Sequence, residues 1–138
     1  MIKVVLFDYG RVLYGPLLPQ RKVWRMARDI RARGIKTGIL SNTVWGAPWV
    51  LRRLRGYRGF EPVVLSSYEG VAKPDPEIYQ TAIARSESNP GEIIFIDNRQ
   101  ENIAAAQKLG MKTVLAKNSN QVVADVKKIL LDENGLKL

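Results

Sequence analysis

Four short stretches of this chain carry the residue types that can act on a phosphate or a similarly charged group. Asp8 follows an apolar run, Ser41-Asn42 follows a second, and Asp97-Asn98 follows a third. Lys73 stands just ahead of Pro74-Asp75-Pro76. The chain has no histidine and no cysteine, which excludes a Ser-His-Asp triad, a histidine base or metal ligand, a thiolate nucleophile and zinc–thiolate or iron–sulfur sites. Two carboxylates, a hydroxyl and an ammonium remain. Two carboxylates suit a hard, oxygen-seeking cation such as Mg²⁺. A hydroxyl, nearby backbone N–H groups and a lysine suit the oxygens of a phosphate. One carboxylate can also attack phosphorus and form an aspartyl-phosphate. Taken singly, each residue also reads as a turn residue, a helix cap or a surface lysine.

The elements that would position these groups alternate along the chain. Apolar runs at Ile2–Phe7, Lys36–Leu40, Pro62–Leu65, Glu92–Ile96 and Lys112–Leu115 predict five strands. Between them, Gln20–Arg33 has apolar residues at Val23, Ala27 and Ile30 and predicts a helix ended by Gly34. Pro48–Arg55 predicts a short helix. Asp75-Pro76 opens another, with an N-cap and a proline at the first helical position and a core face of Ile78, Tyr79 and Ala82. Asn98–Leu109, ended by Gly110, and a last helix with a stripe of Val122, Val126 and Ile129 complete the set, and Asp132–Leu138 is expected to fray. This alternation predicts one α/β domain over residues 1–138, a three-layer Rossmann-like fold with a five-stranded parallel sheet and helices on both faces. Ligands of such sheets sit beyond the carboxyl ends of the strands, where Asp8, Ser41, Asp97 and Lys73 all fall.

Composition narrows the class. The 138 residues are 46% hydrophobic and 25% charged, a globular balance. No apolar run is long enough to span a bilayer, and the first residues lead straight into a strand, so a cytoplasmic protein without membrane partners is expected. The net charge is +9, and it is concentrated: residues 11–60 carry 12 Lys and Arg against the single acid Asp29. That segment reads either as a solvated face or as a surface for phosphates, nucleic acid or an acidic partner.

The four stretches resemble, in order, the motifs of the haloacid-dehalogenase-like (HAD) superfamily. Leu6-Phe7-Asp8-Tyr9-Gly10-Arg11-Val12-Leu13 is similar to its first motif in an Asp-x-Gly form, and Ile39-Leu40-Ser41-Asn42 to its second. Gly70-Val71-Ala72-Lys73-Pro74 is similar to its third, and Phe95-Ile96-Asp97-Asn98 with Asn102 and Gly110 to its fourth. The resemblance covers essentially the whole chain and implies strand order 5-4-1-2-3. It implies that Asp8 is the nucleophile and, with the Gly10 carbonyl and Asp97, a ligand of Mg²⁺. Ser41, the Asn42 backbone and Lys73 would bind the transferring phosphoryl group, with Lys73 also orienting Asp8. Asn98 and Asn102 would stand behind these residues. The implied activity is a Mg²⁺-dependent phosphohydrolase acting through an aspartyl-phosphate. The alternatives are a metal-independent dehalogenase and a non-catalytic protein that binds phosphate, nucleic acid or a protein partner.

Two departures from the family pattern bear on function. Gly10 stands where most phosphatases of the family place a second Asp, the acid and base of the reaction, a role typically worth ~10²–10⁴-fold. Only 32 residues separate Asp8 from Ser41, too few for the helical cap domain that larger members insert there. An open, capless site suits either a phosphorylated small molecule or a phosphate exposed on a larger substrate, with a second subunit as a possible lid. Trp45 and Trp49 are candidates for its rim.

Overall fold

A computed structural model of the chain describes residues 1–43 and 57–138. The expected short helix at Pro48–Arg55 and the rim candidates Trp45 and Trp49 lie outside the described residues. The strands are β1 (Val4–Phe7), β2 (Lys36–Ser41), β3 (Val63–Leu65), β4 (Ile93–Asp97) and β5 (Lys112–Leu115), and the helices are α1 (Arg21–Ala32), α2 (Ser66–Glu69), α3 (Pro76–Ser86), α4 (Gln100–Lys108) and α5 (Ser119–Asn134). The sheet is parallel throughout, in the order β3-β2-β1-β4-β5. That is the expected order, read from the other edge.

The three layers follow from the two-residue period of the strands. Val5, Phe7, Ile39, Ile94 and Ile96 face one side and pack with Val23, Ala27 and Ile30 of α1 and with Val122, Val126 and Leu130 of α5. Val4, Leu6, Leu40, Ile93 and Phe95 face the other and pack with Ile78, Tyr79 and Ala82 of α3 and with Ile103 and Ala106 of α4. Gly38 in β2 permits this packing: a Cβ there would stand 2.7 Å from the Pro62 carbonyl oxygen and 2.8 Å from a Leu6 methyl.

Several boundaries differ from the sequence expectation. Helix α4 begins at Gln100 rather than Asn98, because Asp97 Oδ1 accepts the Arg99 N–H at 2.9 Å and closes a turn first. In α5 the third core position is Leu130, and Ile129 is only partly buried. The expected fraying of Asp132–Leu138 is not observed. The helix runs to Asn134, whose side chain accepts the Ile2 N–H at 2.7 Å and donates to the Ile2 carbonyl at 2.9 Å. Gly135 then turns the chain in the left-handed conformation, and Leu136 and Leu138 pack on the core. A paired amide and two apolar contacts hold the last residues against the first. No helix among the described residues is long and apolar enough to cross a membrane.

Candidate active site

Strand register builds the site. Phe7 of β1 is level with Ile39 of β2 and with Ile96 of β4. One step further, Asp8 lies alongside Leu40 and Asp97, and its N–H is bonded to the Ile96 carbonyl at 2.9 Å. Ser41 closes β2. The three residues therefore share the carboxyl edge of adjacent strands, two of them at strand ends and one just past its strand.

Lys73 reaches the same point from the loop between α2 and α3. Its Nζ lies 3.1 Å from Asp8 Oδ1, 2.6 Å from Asp97 Oδ2 and 2.9 Å from the Leu40 carbonyl oxygen. These contacts use all three hydrogens of an ammonium. The side chain is 1% exposed, against 0% for Asp97 and 13% for Asp8, so Asp8 is the member of the trio that solvent or a substrate reaches. The ammonium also lies over the Phe95 ring, 5.2 Å from its centroid.

The residues behind this trio fix it in place. Asn42 Oδ1 accepts the Lys73 N–H at 2.9 Å, and its Nδ2 donates to the Lys73 carbonyl at 3.0 Å. This reciprocal pair ties the loop of Lys73 to the end of β2, a role for the Asn42 side chain that the sequence did not reveal. The neighbouring Thr43 is anchored in turn: its N–H donates to Ser66 Oγ at 2.8 Å and its hydroxyl lies 2.7 Å from that of Ser67. Asp97 Oδ2 accepts a second bond from Asn102 Nδ2 at 3.1 Å. Asn102 is thus buried behind Asp97, while Asn98 faces a cavity beside the site. Leu40, whose carbonyl oxygen completes the lysine's coordination, carries no sequence signal, since a backbone carbonyl is present at every residue.

The charge state of Asp8 is set by its surroundings. Burial raises its carboxyl above the usual range, the Asp97 charge adds to that rise, and the Lys73 charge with hydrogen bonds from Lys73 and Ser41 pulls the other way. Tyr9 takes no part. Its ring is buried against Tyr14, with centroids 5.0 Å apart, and burial pushes its hydroxyl well above the ordinary range. Gly10 is exposed, its φ lies outside the left-handed region, and a Cβ built on it meets no atom within 4 Å. Nothing steric therefore requires glycine at this position. Arg11 occupies the left-handed conformation instead, with φ 62°.

The donor set suits a hard cation. Asp8, Asp97 and the Gly10 carbonyl offer only oxygen, and among the described residues no cluster of three acidic, histidine or cysteine side chains provides another centre. Between Asp8 and Ser41 the chain forms only a loop and α1, with no inserted domain.

The chain is similar to several known proteins. The chain is 26% identical to a glyceraldehyde 3-phosphate phosphatase of Methanothermobacter thermautotrophicus, over 99% of its own length and 60% of the relative's. It is 29% identical to the sesquiterpene phosphatase astK of Aspergillus oryzae, over 70% of its length and 50% of the relative's. The chain thus spans no more than 60% of either curated relative. Among solved structures, an uncharacterized protein from Corynebacterium glutamicum superposes with a TM-score of 0.84 at 24% identity, over 100% of this chain and 98% of that one. A HAD family enzyme from Bacteroides thetaiotaomicron, solved in complex with magnesium and inorganic phosphate, superposes with a TM-score of 0.61 at 30% identity, over 73% of this chain and 54% of that one. Residues 2–110 match the sequence profile of the haloacid dehalogenase-like hydrolases, and the chain belongs to that family.

Proposed function

We propose that residues 1–138 form a Mg²⁺-dependent phosphohydrolase core acting through an aspartyl-phosphate on Asp8. The observation that carries this reading is the Lys73 ammonium held between a fully buried carboxylate, Asp97, and a more accessible one, Asp8. Asp8, the Gly10 carbonyl and Asp97 would hold the cation. When bound, it would neutralise charge on the phosphoryl oxygens.

The chain's own residues account for the rest. Tyr9 N–H and Lys73 Nζ both donate to Asp8 Oδ1, which orients the carboxylate and leaves Oδ2 for attack. An oxygen–phosphorus bond forms at Asp8 and the bond to the leaving oxygen breaks. Water then attacks the aspartyl-phosphate, its proton passes to solvent, and inorganic phosphate leaves with Asp8 restored. The Ser41 hydroxyl and the Asn42 N–H would hold the phosphoryl oxygens. Lys73 acts on the phosphate mainly through its charge, because its three hydrogens are already committed. Asn102 fixes Asp97, and Asn98 would orient the loop that follows it.

Gly10 supplies no acid, so the leaving oxygen departs unprotonated or takes its proton from water. The site has no cap between Asp8 and Ser41 and stays wet, which weakens its electrostatic grip on the transition state. Turnover is therefore expected to be slow on alkyl phosphates and faster on aryl or acyl phosphates. A phosphate-ester screen with and without Mg²⁺, run beside Asp8→Asn, tests the reading. Mg²⁺-dependent turnover that vanishes in Asp8→Asn supports it, and turnover retained in that variant refutes it. Mg²⁺ titration adds a second check, since binding should weaken in Asp97→Ala. Metal-independent release of halide from a haloacid would point to the dehalogenase alternative.

A second reading has one observation in its favour. Arg21, Lys22, Arg25 and Arg28 are exposed along α1, with Asp29 the only acid on that helix. Binding of nucleic acid there would be steeply salt-dependent, and turnover of small phosphates would be absent.

A further inference from the structure

We infer that the cavity beside Asp8, between the ends of β1, β4 and β5, binds a second anionic group of the phosphorylated substrate, a carboxylate or another phosphate. The inference rests on the phosphohydrolase reading and names the substrate class for that site. The cavity measures about 270 Å³ and is lined by Arg11, Gln20, Asn98, Lys117 and Ser119 among others, with no acidic residue. Arg11 lies three residues past Asp8, and Asn98 directly follows Asp97. The Ala116 N–H donates to the Asp97 carbonyl at 2.7 Å, which brings Lys117 alongside the same edge. Ser41 ends β2 on one side of Asp8, whereas the residues lining this cavity follow β1, β4 and β5. A substrate held at its phosphoryl end by Ser41 would extend its other end toward Arg11 and Lys117.

Three features mark the cavity as more than a surface depression. Neither Arg11 nor Lys117 is in an ion pair among the described residues, and residues 44–56 contain no acid. Two cations thus line one cavity whose lining holds no acidic residue. Arg11 also holds φ 62°, which glycine adopts freely and arginine only against a steric cost. Such outliers are retained where the side chain is needed in place. Finally, the loop bearing Arg11 is pre-organised. Its N–H donates to the Tyr14 carbonyl at 2.6 Å, Tyr14 stacks on Tyr9, and Trp24 Nε1 donates to the Leu13 carbonyl at 2.8 Å. The backbone that carries Arg11 is held in this way, and its guanidinium offers a fork suited to an oxyanion.

The test is calorimetric binding in saturating Mg²⁺ of two matched pairs: 3-phosphoglycerate against glycerol 3-phosphate, and fructose 1,6-bisphosphate against fructose 6-phosphate. The unmodified protein should prefer the more anionic member of at least one pair by about tenfold, the size of one charge-assisted hydrogen bond. Arg11→Gly, which the backbone accommodates without strain, and Lys117→Gln should each reduce that ratio to within about threefold. A fold defect would weaken both members and leave the ratio intact. Equal affinity within both pairs overturns the inference, as does a preference that survives both substitutions. Turnover of an aryl phosphate by the same preparations separates the two proposals. No turnover with the preference intact refutes the phosphohydrolase reading alone, and turnover without the preference refutes the cavity assignment alone.

Discussion

Replacing Lys73 with methionine removes the cation shared by the buried carboxylate of Asp97 and the partly buried one of Asp8. Methionine keeps the length and apolar stem of lysine, so packing is nearly preserved and the effect isolates the charge. In the native protein the ammonium is 1% exposed and lies 3.1 Å from Asp8 and 2.6 Å from Asp97, itself 0% exposed. Removing one partner from a buried ion pair typically costs about 3–5 kcal/mol, because the charges left behind cannot be solvated. With an unfolding entropy of roughly 2.1 cal/mol/K per residue, that cost corresponds over this chain to a fall in Tm of roughly 10–17 °C. Part of the cost can be avoided by taking up a proton. Asp8 already titrates above the usual carboxylate range, and without Lys73 the folded state would bind a proton more readily still. The deficit should therefore be largest near neutral pH and shrink as pH falls toward the titration of Asp8. Urea unfolding followed by circular dichroism at neutral and mildly acidic pH measures both quantities. Asp97→Asn in the Lys73→Met background should recover part of the loss, since the coupling between the two sites is then removed. A loss below about 1 kcal/mol, or one that does not change with pH, would refute the claim that Lys73 neutralises this pair; such a small value is typical of an exposed salt bridge.

Gly10→Asp should raise turnover on alkyl phosphates by up to ~10²–10⁴-fold and on aryl phosphates by much less, because a side chain at this position meets open space and supplies the missing proton donor; steady-state rates on both substrate classes test this. Asp8→Asn should reduce turnover to background yet stabilise the fold. The raised titration of Asp8 means its protonated form is favoured by folding, so its contribution to stability is present at low pH and lost as pH rises through the folded value. The stabilisation should accordingly appear in thermal melts above that value and disappear in acid. Asn134→Ala removes both bonds to Ile2 and should cost about 1–3 kcal/mol, with faster amide exchange at both termini.

The sequence by itself determined the layers and the membership of the site. Continuous apolar runs alternating with amphipathic segments require a sheet covered on both faces, and the glycines and the Asp75-Pro76 pair mark where elements stop and start. Asp8, Ser41, Lys73 and Asp97 could be singled out because each follows a strand or precedes a helix at a fixed place in that alternation. What the sequence could not supply were the contacts made across the fold. Asn42 clamping the backbone of Lys73, 31 residues away, and Asn134 holding Ile2, 132 residues away, depend on which loops the sheet order brings together; no local pattern distinguishes an amide that caps a turn from one that ties two segments. The same holds for Gly10 and Arg11. Residue type alone would assign the left-handed conformation to glycine, but the turn places it on Arg11 and leaves position 10 open. Propensity describes what a residue tolerates by itself, whereas the hydrogen bond from Arg11 to Tyr14 and the stacking of Tyr14 on Tyr9 fix what this residue must do, and those constraints exist only once the chain has folded.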